Sequence, residues 1–265
     1  MSAWLKEIHL FACGIESVGA VSICSALRTS AFHQLERINF NGNPIGSDGT
    51  KSIGEMLSVN TSLVELCIGG IGIDINGVKS LAEALKVNGS LRVLYIHENN
   101  IDSAGAAFFA DALQINLSLR RLNLDGNHIS DEGAVLLSAA LRINSGLEHL
   151  EVEENGIGDR GAASFSAALT VNASLDLLSL GRNEIGDPGA FALGTALTVN
   201  SSLICIKLDH NRIGDAGAVA LGEALCMNSV LTSLTLHDNE IGALGADSIG
   251  KAQRENSRLE SIRLK

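Results

Sequence analysis

The chain holds 265 residues, 46% of them hydrophobic but only 3% aromatic, so Leu, Ile, Val and Ala must fill a sizeable core. Its formal net charge of −11 argues against phosphate-backbone binding, which needs clustered Lys and Arg. The five cysteines, an odd number with no CxxC and no zinc-ligand spacing, point to free thiols in a reducing compartment.

The N-terminus, MSAWLKEIHLFACG, lacks the long apolar stretch of a signal peptide. No apolar run approaches the roughly 18 residues of a membrane span. A first unit opens at Leu5, with Trp4 expected to cover part of its core layer. From Leu35 onward a leucine recurs every 28 residues, at Leu63, Leu91, Leu119, Leu147, Leu175, Leu203, Leu231 and Leu259. The consensus reads LxxLxLxxNxIGDxGAxALxxALxxNxS, and a period of this length marks a stacked-repeat architecture.

Within each unit the elements follow in a fixed order. In LDLLSL, Leu178 and Leu180 alternate with polar or variable neighbours, which predicts a strand with one buried face. Asn183 stands at the bend that follows, with counterparts Asn43, Asn99, Asn127, Asn155, Asn211 and Asn239, while Ile71 breaks the ladder in the third unit. A buried amide there can satisfy loop backbone groups that would otherwise cost about 1–3 kcal/mol each. Next, GDPGAFALGTAL predicts a helix with Leu193 and Leu197 facing inward. Asp187 reads as its N-cap and Pro188 as its first residue. Asp131, Asp159 and Asp215 occupy the same place, and Ser17, Ser47 and Ser103 substitute for it. Gly189 and its equivalents let the helix start lie close to its neighbour.

Asn60, Asn88, Asn116, Asn172 and Asn200 each begin an N-x-S triplet that could accept a glycan. Asn144, Asn228 and Asn256 keep the asparagine at the same place without the acceptor pattern. A helix-ending role explains the whole set, through the left-handed backbone conformation that Asn tolerates.

The stretches LRRLNLDGNHIS, LDLLSLGRNEIG and LTSLTLHDNEIG resemble the leucine-rich repeat family, in the 28-residue class of ribonuclease inhibitor and the C-terminal arrays of NOD-like receptors. The resemblance implies an α/β fold, a right-handed horseshoe solenoid with a parallel sheet on the concave face and helices on the convex face. Residues 1–265 are then one repeat domain of about nine units plus a partial C-terminal unit. Gln253 replaces a helix leucine, and the last stretch, LESIRLK, stops within a strand. The chain is therefore expected to be a segment of a longer protein or to pack end to end on another copy, with the first favoured.

Function must lie in the variable positions of the strands, which face the concave side. One column runs Phe11, Asn41, Gly69, His97, Asp125, Glu153, Gly181, Asp209 and His237. A second runs His9, Asn39, Cys67, Tyr95, Asn123, Glu151, Ser179, Lys207 and Thr235, and a third includes Arg121 and His149. Tyr95 reads as an interaction anchor, beside a shallow recess expected over Glu65, Cys67, Gly69 and Gly70. Glu98, Asp125, Glu151, Glu153 and Glu154 form an acidic cluster suited to Lys and Arg on a partner. The partner-binding set is Tyr95, His97, Glu98, Asn123, Asp125, His149, Glu151, Glu153, Glu154, Lys207, Asp209 and His237. Gly181 interrupts the histidine and carboxylate column, so no metal set is expected there.

GADSIGKA, Gly245 to Ala252, imitates a phosphate-binding loop, but Ala252 stands where a hydroxyl is needed and the stretch falls on a predicted helix. No nucleophile–base pair is implied, and neither catalysis nor a cofactor is expected. The leading reading is a cytoplasmic protein-interaction scaffold binding a protein partner with a basic patch, rather than nucleic acid or membrane. A GTPase activator similar to those of Ran and an extracellular receptor ectodomain stay open as alternatives.

Overall fold

The computed structural model describes residues 5–28 and 34–264; Trp4 lies outside the described residues. Ten three-residue strands form one parallel sheet in sequence order: β1 (Glu7–His9), β2 (Arg37–Asn39), β3 (Glu65–Cys67), β4 (Val93–Tyr95), β5 (Arg121–Asn123), β6 (His149–Glu151), β7 (Leu177–Ser179), β8 (Cys205–Lys207), β9 (Ser233–Thr235) and β10 (Ser261–Arg263). Among the described residues nine helices alternate with them: α1 (Ser17–Leu27), α2 (Gly46–Leu57), α3 (Ile75–Val87), α4 (Ser103–Leu113), α5 (Ser130–Leu141), α6 (Asp159–Leu169), α7 (Asp187–Leu197), α8 (Asp215–Met227) and α9 (Ala243–Glu255). Each unit is one strand, one loop and one helix, wound as a right-handed solenoid. Neighbouring strands sit about 4.8 Å apart, whereas packed helices need about 8–10 Å. Repeated unit after unit, that mismatch puts the sheet on the concave side and the helices on the convex side.

One contiguous core lies between the layers. The middle residue of nearly every strand, from Ile38 through Leu122 to Leu234, is buried. It meets a helix layer in which Leu81, Phe109, Leu137, Phe165 and Leu193 share one register position and are fully buried. Small residues let the helices close up on that layer. A Cβ on Gly133 would lie 2.5 Å from Ile129 Cγ2 and 2.9 Å from Ala106 Cβ.

Two asparagine ladders hold the units in step. At the bend, Asn127 Nδ2 donates to Leu124 O at 2.7 Å, and its Oδ1 accepts from Ile101 N at 2.9 Å and Asn99 N at 3.1 Å in the unit before. Ile71, where the ladder breaks, is buried and donates its N–H to Asn99 Oδ1. At the helix ends, Asn172 Nδ2 donates to Leu141 O at 2.7 Å and Asn144 O at 3.0 Å, one unit back. Its Oδ1 accepts from Leu175 N at 2.8 Å and Ser174 N at 3.1 Å.

This second ladder corrects the expected left-handed cap. Asn88 and Asn228 have φ of −78° and −73°, in extended backbone. Their side chains, not a left-handed turn, end the helices: Asn88 Nδ2 donates to Leu57 O at 2.8 Å and Asn228 Nδ2 to Leu197 O at 2.7 Å, each in the unit behind. The geometry also removes the glycan reading at Asn172: the amide nitrogen is buried and both its protons are engaged.

The aspartates correct a second expectation. Asp187 does not cap its own helix; Gly186 occupies the N-cap and offers no side chain. Instead Asp187 Oδ1 accepts from Gly214 N at 2.7 Å and Gly217 N at 2.8 Å, at the start of α8 in the next unit. Asp131, Asp159 and Asp215 reach forward in the same way. In the earlier units Asp74 and Asp102 cap their own helices through Gly77 N and Gly105 N. Helix capping therefore passes from the unit itself to its predecessor once glycine takes the N-cap.

Replacing Asp159 by Ala removes the one oxygen that accepts from both Gly186 N and Gly189 N at the start of α7. The free energy of unfolding should fall by about 2 kcal/mol. Asp159→Asn, which keeps an oxygen, should lose clearly less; equal losses in urea denaturation would refute the forward cap.

Candidate functional site

Because the middle residue of each strand from β2 to β9 turns into the core, its first and third residues project onto the concave face. The pairing register places them in the expected columns, with Val93, Arg121, His149 and Leu177 aligned in one, and Tyr95, Asn123, Glu151, Ser179 and Lys207 in the other. Residues remote in sequence thereby become contacts along the array.

The acidic cluster is knitted together by one amide. Asn123 Nδ2 donates to Asp125 Oδ2 at 2.7 Å and to Glu151 Oε2 at 2.5 Å, and Asp125 Oδ1 accepts from Glu153 N at 2.7 Å. Burial pushes the Asp125 carboxyl up to about 6. The hydrogen bond from the Glu153 N–H opposes that rise, while the Glu153 charge reinforces it; Asn123 and Glu151 follow with smaller effects of opposite sign. Glu153 is held from the other side, by Ser179 Oγ and by Lys207 Nζ at 3.3 Å. Lys207 reaches across two units because Ser179 and Gly181 between them are small and buried. Burial alone would lower the Lys207 ammonium, but Glu153 and then Glu151 outweigh it and hold it above its usual range.

Tyr95 belongs to a different chain of contacts. Its hydroxyl accepts from Arg121 Nη1 at 3.1 Å, and Arg121 Nε donates to His149 Nδ1 at 2.9 Å. That bond needs the Nδ1 lone pair, so the imidazole proton sits on Nε2, 3.0 Å from Asp176 Oδ1. Tyr95 is half-buried and its polar end is already engaged, leaving ring surface as what it offers a partner. The recess expected beside it is filled: a Cβ on Gly69 would lie 2.4 Å from His97 Nε2, so the His97 ring lies across that glycine.

Farther along, Thr235 Oγ1 donates to Asp209 Oδ1 at 2.6 Å, and His237 Nε2 lies 3.8 Å from Asp209 Oδ2. The predicted residues therefore separate into three groups. His97, Glu98, Asn123, Asp125, Glu153 and Glu154 line one open groove of about 340 Å³, joined by Gly126 and Arg182. Glu151 and Lys207 adjoin this group through Asn123 and Glu153, while Tyr95 with His149, and Asp209 with His237, stand apart from it.

Sequence reasoning placed Arg121 in a concave column without assigning it a role, and passed over Asp176 and Arg182. Arg182 sits in a column that also includes Glu98, Glu154, His210 and Asp238, all with φ between 52° and 55°. Gly42, Gly70 and Gly126 share the column, with φ of 61° to 70°. Glycine at three of its places is the signal that could have revealed a left-handed position, which presents its side chain beside the strand columns.

A leucine-rich repeat family model matches residues 2–24, 116–138, 144–166, 171–194, 199–222 and 228–250, together more than half of the chain. The chain belongs to the leucine-rich repeat family. The described residues of the unmatched stretch between Ser25 and Ile115 carry strands and helices of the same order in this leucine-rich repeat array. No curated protein sequence matches the chain. Among solved structures, 236 chains match, one of them "Leiomodin-1 Actin-Binding Site 2 (ABS2)". It is 18% identical with a TM-score of 0.48, and the alignment covers 56% of this chain and 86% of that one.

A raised Asp125 pKa means that its protonated form is the one the fold favours. Its stability contribution is complete below its ordinary value of 3.8 and is lost as the pH rises through about 6. From pH 4 to pH 7 the array should lose on the order of 1–3 kcal/mol relative to Asp125→Asn. Parallel urea-denaturation profiles for the two proteins would refute this.

Proposed function

We propose that this array is a non-catalytic protein-interaction scaffold whose concave face captures a basic segment of a protein partner. The observation that carries the reading is the groove between His97 and Arg182, in which Glu98, Asp125, Glu153 and Glu154 converge within three neighbouring units. Such a set favours Lys or Arg side chains and disfavours phosphate. Tyr95, outside the groove but in register with its Asn123, supplies a half-buried aromatic surface, a residue type enriched among interface anchors. An approaching ammonium would draw the proton from Asp125, so capture and proton release are coupled below about pH 6.

Residues 1–265 act in this reading as one repeat domain, of the 28-residue ribonuclease-inhibitor-like class; the helix in each unit supports the assignment. A cytoplasmic setting is supported by five cysteines that are all free and by asparagine amides engaged in the core. No described helix is long and apolar enough to cross a membrane.

The test compares capture by the intact array and by a Tyr95→Ala, Glu151→Gln, Glu153→Gln variant of equal thermal midpoint. Loss of roughly tenfold or more in affinity, with a weaker dependence on salt, is expected. Undiminished capture would remove the concave face from the interaction.

A further inference from the structure

Beyond the groove, a second cluster of side chains closes on a single point between the units of β8 and β9. Asp209, His210 and His237 each place a ligand-type atom within 4.8 Å of the others. Two of the three come from the strand-following column predicted from sequence; His210 comes from the left-handed column beside it, with φ of 52°.

The cluster is shaped on more than one side. Asp209 has a side chain only 13% exposed, and Thr235 Oγ1 fixes its Oδ1, leaving Oδ2 directed at His237 Nε2, 3.8 Å away. The carboxylate can lie there because residue 181 is glycine: a Cβ would sit 3.1 Å from Asp209 Oδ2. The His210 and His237 rings meet edge to face, with centroids 5.3 Å apart. Asp238 brings a further carboxylate, its Oδ2 at 3.3 Å from His210 Nε2 and 3.9 Å from His237 Nε2.

We propose that Asp209, His210, His237 and Asp238 form a binding site for a divalent transition cation of the zinc class. Two imidazole nitrogens and two carboxylate oxygens suit such an ion, and the two negative charges balance its two positive ones. Ligands held about 2.0–2.2 Å from a tetrahedral metal stand roughly 3.3 Å apart. The separations of 3.3, 3.8 and 3.9 Å close to that value by small side-chain rotations, without movement of the sheet. Arg182, exposed and 3.5 Å from His210 Nε2, returns to solvent when the metal takes that nitrogen. The bound ion joins two successive units, so it stabilises the end of the array that the acidic groove does not reach.

The inference does not depend on the partner-capture reading, and its test uses metal alone. Untagged, metal-free full chain is titrated with Co²⁺, followed by visible absorption, and with Zn²⁺ by calorimetry. One equivalent should bind, and Zn²⁺ should raise the thermal midpoint. A His210→Asn, His237→Asn variant should bind more than tenfold more weakly, as should Asp209→Asn, while a variant at the exposed His9, His9→Asn, should bind metal as the native chain does. No Co²⁺ spectrum and no Zn²⁺ heat with the native chain would overturn the site, whatever the variants do. Binding undiminished in the His210→Asn, His237→Asn variant would equally overturn it.

Discussion

Everything in this array depends on side-chain amides that bond from one unit to another. An asparagine amide offers two donors and two acceptor lone pairs, and at Asn172 all four are engaged, two of them with the preceding unit. A shift of one residue in any unit would break such a set on both of its sides. Buried polar groups left without partners cost about 1–3 kcal/mol each, so the chain holds one spacing over its whole length. The constant spacing then stacks the strands in register and brings variable residues into columns. A functional surface on such an array is a by-product of its punctuation.

The charged side chains use the columns in a way that softens their repulsion. Acidic residues gather between the units of β4 and β6, yet three of them are tied to a neighbour of another unit: Glu151 to Asn123, Asp125 to the Glu153 N–H, and Glu153 to Lys207. Exposed pairs of this kind add little to stability by themselves. They do fix where carboxylates stand, so that charge arranged by the fold, rather than charge in solution, meets whatever lies against the sheet. Small residues matter as much as charged ones. Ser179 and Gly181 open the path by which Lys207 crosses to Glu153, and Gly69 makes room for the His97 ring.

Sequence made the architecture legible because its period is long and repeated; Leu94, Leu122 and Leu150 fall at the predicted inward places and are buried. The columns of Tyr95 and of His97 were legible for the same reason. What escaped was anything decided between units. Asp187 has the composition of a local cap, and nothing in the local order of residues shows that its oxygen serves Gly214 and Gly217 instead. The helix-ending asparagines were recognised by position, yet their backbone conformation depends on where the neighbouring unit's carbonyls lie. Arg182 and His210 were missed because their left-handed column lies outside the alternation that identifies concave residues; Glu98 and Glu154 in that column were found only through their charge. The expected recess beside Tyr95 failed on a rotamer, that of His97, which no spacing encodes.

The forward-reaching aspartates give the array a direction in time. A chain leaving the ribosome presents its N-terminal units first, and the carboxylate of Asp159 is in place before Gly186 and Gly189 emerge. Starting a helix is the unfavourable step, because several residues must be fixed before the first turn closes. From the unit of α5 to that of α8, each finished unit thus offers a template on which the start of the next helix can settle, and synthesis and folding run in the same sense.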